Sequence, residues 1–140
     1  MEPNSLVNQS VVFDRVVEIA KSLAKEHGHG NFSSAHLLKA LLHKDAQLVP
    51  VLDQLEKDIY YMQDWADMRM EKYPKATGQV FEPTADDLAN TIFREADVYR
   101  IKLKRDAIEP ICLLASICTP GVGFSYEQLK TFPLNHAEIL

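Results

Sequence analysis

Cysteine and glycine are both scarce in this chain, with two and five residues respectively in 140. Cys112 and Cys118 stand six residues apart, and on a helix that separation points them about 240° apart, so no disulfide framework is available. Buried, reduced thiols of a cytosolic protein are the expectation. The glycines at 28, 30, 78, 121 and 123 begin no G-x-x-x-x-G-K-[ST] loop, so the chain has no P-loop backbone cradle for phosphates. No G-x-S-x-G is present, and neither cysteine has a histidine partner nearby in sequence, so no nucleophile is set up and no catalytic residue is expected.

Positive charge is also short. Lys and Arg number 15 against 20 Asp and Glu, a net charge of -5 with a pI near 5.5, whereas duplex recognition needs a clustered cationic excess. The densest basic run, Arg100, Lys102, Lys104 and Arg105, is interrupted by Ile101 and Leu103 and reads as the solvated face of a helix. No nucleic-acid partner is expected. Apolar runs stay well below the roughly 18 residues that span a bilayer. The opening MEPNSLVNQS lacks the basic and apolar regions of a signal peptide. A cytoplasmic protein with no membrane association is expected.

What the chain has is an internal repeat. Ala20, Leu23, Phe32, Leu37, Leu38 and Leu41 recur at one constant offset as Ala96, Tyr99, Ile108, Leu113, Leu114 and Ile117, apolar on both sides. Each copy is then one supersecondary unit that covers part of its apolar surface with the other. Its length suits one domain, with repeat one over about 8–73, a linker over about 74–83 and repeat two over about 84–140.

Within the first copy, Val12, Val16, Ile19, Ala20 and Leu23 form a helical stripe. Phe13, Val17 and Ala24 widen it to roughly 160°. That arc exceeds what one core-facing surface needs, so the surplus either packs one copy on the other or receives an apolar helix from a partner. Gly28 and Gly30 end this helix, and Ser33 or Ser34 caps the next, with its leucine run from Leu37 to Leu42. A short helix with Pro50 in its first turn follows, then a fourth capped by Asp58. The stretch KYPKATGQVFEP is the linker.

The second copy opens with Thr84 and Asp87 as a capping box, continues with a helix starting at Pro110, and reaches a Ser125/Gln128 capping box for a seventh helix. Asn135 caps an eighth that the chain leaves only five residues to build. So short a helix needs packing to persist, and a longer parent protein is the expectation. The predicted class is all-α, a pseudo-twofold duplicated four-helix repeat of about eight helices. His27, His29, His36 and His43 raise the possibility of a small helical enzyme or metal protein, but His27 and His29 span a helix end while His36 and His43 lie on another helix without a CxxC or HExxH context, and no metal site is expected.

The run FSSAHLLKALL, Phe32 to Leu42, resembles the T-x-E-H-L-L-L-A-L-L signature of the Clp amino-terminal domain found at the head of Clp/Hsp100 AAA+ unfoldases. IEPICLLASI, Ile108 to Ile117, resembles the degenerate second copy, with Ala35 in place of the usual Glu and Cys112 in place of the second His. The extension before Phe13 and the F-E-P at Phe81 to Pro83 are most similar to ClpV, the unfoldase of type VI secretion systems. The resemblance implies a non-catalytic docking domain that holds an amphipathic helix of a sheath subunit in an apolar groove. Leu6, Phe13, Val17, Phe81 and Leu88 would line that groove. ATP and magnesium would belong to the parent's AAA+ domains, with no cofactor in this segment, and the parent would be a hexamer while the segment alone is a monomer. The alternative under the same resemblance is the N-domain of a ClpA-, ClpB- or ClpC-like chaperone that binds adaptors or unfolded chains.

Overall fold

A computed structural model describes residues 9–140. Eight α-helices lie among them: α1 (Val11–Glu26), α2 (Ser34–Leu41), α3 (Val49–Gln54), α4 (Ile59–Met70), α5 (Asp87–Lys102), α6 (Pro110–Ile117), α7 (Tyr126–Leu129) and α8 (His136–Ile139). Two residue pairs, β1 (Asn31–Phe32) and β2 (Thr84–Ala85), form a minimal parallel sheet. The offset that carries Ala20 onto Ala96 also carries the bounds of α1 onto those of α5 and the bounds of α2 onto those of α6.

The same offset relates the backbone pairing between the copies. In β1 and β2, Phe32 lies opposite Ala85, and the Asp86 N–H donates to Phe32 O at 3.1 Å. In the other copy Gln9 bridges Ile108, also in parallel, and the Ser10 N–H donates to Ile108 O at 3.0 Å. Each copy therefore lends the segment ahead of its long helix to the loop of the other. This exchange gives the duplication its pseudo-twofold symmetry.

α2 and α6 sit at the centre, where Leu37, Leu38, Leu41, Leu113, Leu114 and Ile117 are all buried. So enclosed a helix must satisfy its polar side chains internally. Accordingly, Ser34 Oγ donates to Gly123 O at 2.6 Å and Ser116 Oγ to Ile92 O at 2.9 Å. The wide arc of α1 is consumed by both layers it touches: Phe13, Val16, Val17, Ala20 and Ala24 are all buried, and the Phe13 ring packs 5.6 Å from that of Phe93 on α5. Large side chains here act as the seam between copies.

The helix ends follow the sequence with one correction. Asp58, Ser125 and Asn135 cap as expected, Ser33 is the N-cap of α2, and Gly28 closes α1 at φ +73°. Thr84, however, does not cap α5. Asn31 Nδ2 donates to Thr84 O and Oγ1 at 3.1 and 3.0 Å, drawing that residue into strand pairing, so the helix starts later, with Asp86 accepting from the Ala89 N–H at 2.8 Å. The short α8 holds through the packing it needs: Lys57 Nζ donates to Glu138 at 2.7 Å and to Pro133 O at 2.9 Å.

Candidate functional site

Beside α1 lies a cavity of about 240 Å³. Its floor is apolar, built from Val17, Phe32, Phe93, Pro83 and Ala85, and its rim carries Asp14, Glu18, Lys21, Glu82 and Thr84. The strand exchange makes it, because β2 brings residues 82–85 alongside α1 while β1 supplies Phe32. Lys21 Nζ lies 3.6 Å from Glu18 and 3.5 Å from Glu82, holding the loop before β2 against the helix. Three carboxylates around one shared lysine leave the mouth acidic.

The residues expected to form a groove separate into distinct groups. Val17, only 8% exposed, lies at the cavity floor as a groove residue must. Phe13 does not line it: at 1% exposure its ring is closed inside the inter-copy seam, because Phe93 covers the face it would present. Phe81 precedes the rim residue Glu82 and is 73% exposed. Leu88 is 45% exposed on the first turn of α5 and does not line the cavity. Leu6 lies outside the described residues. Sequence reasoning missed Phe32, Phe93 and Lys21. The repeat carried a signal for Phe93, which takes the place of Val17 in the second copy.

A larger cleft of about 450 Å³ opens at the start of α1, between Val12, Leu48, Val51, Leu103, Ile111 and Ile139. Its polar lining is Ser10, Gln47, Arg105 and Glu109, the last two ion-paired at 3.0 Å.

Two of the histidines, His29 and His36, form a buried hydrogen-bonded pair. The Ser33 N–H donates to His36 Nδ1 at 2.9 Å, so the His36 proton sits on Nε2 and is donated to His29 Nδ1, 2.8 Å away. Both His36 nitrogens are thus engaged by protein. Burial holds His36 down to about 3, reinforced by His29, and holds His29 below its ordinary value, reinforced by His27 and Lys75. Among the described residues no group of three or more His, Cys, Asp or Glu is arranged to hold a metal ion. Burial pushes the Cys118 thiol up to about 12, with Glu138 adding to it, and also raises Cys112; neither is a nucleophile at neutral pH.

The model of the Clp repeat (R) N-terminal domain matches residues 10–129. The chain belongs to this family. Solved structures agree in fold. The N-domain of ClpV from Vibrio cholerae superposes with a TM-score of 0.74 at 16% identity, covering 96% of this chain and 81% of that one. A complex of a ClpV N-domain with a VipB peptide gives 0.69 at 18%, covering 96% and 82%. The Hsp104 N-terminal domain from Candida albicans gives 0.70 at 14%, covering 89% and 87%. No described helix is long and apolar enough to cross a membrane.

Proposed function

We propose that this Clp N-domain is the non-catalytic docking module of a Clp-type AAA+ unfoldase and captures an amphipathic helix of a type VI secretion sheath subunit. The apolar-floored cavity between α1 and the 82–85 segment carries the reading, because an amphipathic helix is held by apolar anchors at i, i+3, i+4 and i+7 laid into such a groove. Support comes from the shared fold of the ClpV N-domains, one of which is described in complex with a VipB peptide. The groove presents Val17 and Phe93 below, with Phe81 beside it as an exposed ring for the partner to cover. The captured chain would pass to a hexameric ring whose ATP and magnesium belong to the parent's other domains, so that modest affinity, on the order of micromolar, gains from multivalency.

The test is a fluorescence-anisotropy titration of the 140-residue chain with a peptide spanning the amino-terminal helix of a sheath subunit from the same genome. Phe81→Ser and Val17→Ala should each weaken binding about tenfold, since one well-packed anchor carries on the order of 1–2 kcal/mol. Val51→Ser, in the larger cleft, should leave it unchanged. Loss of binding in Val51→Ser alone would move the site to that cleft and sink the assignment.

The fold shared with the Hsp104 N-domain supports a second reading, a ClpA-, ClpB- or ClpC-like chaperone serving adaptors or unfolded polypeptides. Sheath genes beside the parent gene favour the first reading, and an adaptor or protease gene favours the second.

A further inference from the structure

We propose that the groove beside α1 selects its partner by charge, and that the partner is a basic amphipathic helix in which lysines or arginines flank the apolar anchors. This selection, which rests on the docking role proposed above, is set by Asp14, Glu18 and Glu82. An apolar floor alone would hold any helix with suitably spaced anchors. The rim narrows that choice.

The rim charges are unevenly satisfied. Lys21, the one cation of the lining, is shared between Glu18 at 3.6 Å and Glu82 at 3.5 Å. A single ammonium cannot neutralise both. Asp14 makes no ion pair among the described residues, and its Oδ1 accepts from the neutral Gln9 Nε2 at 3.0 Å. Neighbouring side chains do not reverse the balance. Arg15 on α1 is engaged by Asp45 at 3.0 Å. Lys25 and Arg94 lie outside the lining, each followed directly by a carboxylate, Glu26 and Glu95, and Asp87 adds a further one at the start of α5.

Asp14 and Glu18 stand one turn apart on α1, about 6 Å along its axis, and Glu82 faces them from the other wall. A helix laid in the groove therefore meets carboxylates on both sides of its apolar stripe. Lysine and arginine suit that position, because their stems pack on apolar surface while their charged heads reach the rim. The repeat does not demand such a rim. At the repeat offset, Asp14, Glu18, Lys21 and Glu82 become Asn90, Arg94, Asp97 and Leu6, one anion balanced by one cation. A bound metal ion is not the occupant the rim suits, since among the described residues no group of three or more His, Cys, Asp or Glu is arranged to hold one. Nucleic acid would be repelled.

Three designed helical peptides test the selection; they share leucines at i, i+3, i+4 and i+7 and differ only in their flanking residues, which are lysine, glutamine or glutamate. Titrated by fluorescence anisotropy into the 140-residue chain at low salt, the lysine peptide should bind about tenfold more tightly than the glutamate peptide, with the glutamine peptide between them. The gap should shrink at high salt, as exposed charges are screened. Glu18→Gln with Glu82→Gln should close most of it by weakening the lysine peptide and strengthening the glutamate one. Lys21→Gln should widen it. Val17→Ala and Phe81→Ser should weaken all three peptides without changing their order, and so report the apolar floor separately. Equal binding of the lysine and glutamate peptides at a floor that still responds to Val17→Ala and Phe81→Ser, or a gap that survives the double glutamate variant, would overturn charge selection and leave the docking role standing. Binding of none of the three, or binding indifferent to both floor variants, would overturn the docking role and the selection together.

Discussion

The chain from the Ser33 N–H through His36 to His29 works only while both rings are neutral. A proton added at His36 Nδ1 would face the Ser33 N–H, and one added at His29 Nδ1 would face the His36 proton. Because the folded His36 value, about 3, lies below the ordinary 6.5, its contribution is fully present above pH 6.5. It is lost as pH falls toward 3, while the unfolded chain takes up the proton. Between pH 6.5 and 5 the loss should be about 2 kcal/mol from this group, with His29 acting in the same direction. Urea melts at successive pH values measure it. In His36→Asn the decline should be shallower, and an unchanged decline would show that another group carries it. Phe13 and Phe81 make the complementary pair. Phe13→Ala should cost about 3–5 kcal/mol as a core truncation, whereas Phe81→Ser should stay within about 0.5 kcal/mol of the parent in the same melts.

At the scale of elements, the two long helices are started by equivalent residues: Ser10 accepts from the Phe13 N–H at 2.9 Å, and Asp86 from the Ala89 N–H at 2.8 Å. Ser10→Ala and Asp86→Ala should each lower stability by about 1 kcal/mol, measurable as a shift in the denaturant midpoint at constant slope. Ser10 and Asp86 also show where sequence reading stops. Helix existence was legible because apolar spacing and caps are local properties, and the Asp58, Ser125 and Asn135 caps stood in the sequence as they stand in the fold. Thr84 was misread because its strand partner Asn31 is 53 residues away, and no local pattern reports a distant competitor. The site divides the same way. Val17 was legible as surplus on its helix, but whether Phe13 faced a partner or the other copy depended on Phe93, which only tertiary packing could decide. Lys21, clasping Glu82 across the cavity mouth, carries no local signature at all.

For the whole molecule, the exchanged segments make each half incomplete alone. A chain cut in the 74–83 linker should give two fragments that are each largely unfolded by circular dichroism. Mixed together, they should regain helicity, since the Gln9–Ile108 and Phe32–Ala85 pairings cross between them. A first-copy fragment that folds unaided would show the exchange to be dispensable. The linker is itself anchored, with Lys75 Nζ donating to His27 O and the Ala76 N–H to Gly28 O, both at 2.8 Å.

Reciprocal lending of a leading segment is also the geometry of a strand-swapped homodimer. Remove the connection between the copies, make them identical, and the same two parallel bridges would join two chains. The linker turns that association into an intramolecular event at high effective concentration. Once the halves share one chain, their outer faces need not match: Ser22 and Lys25 of α1 stand where α5 carries Val98 and Ile101.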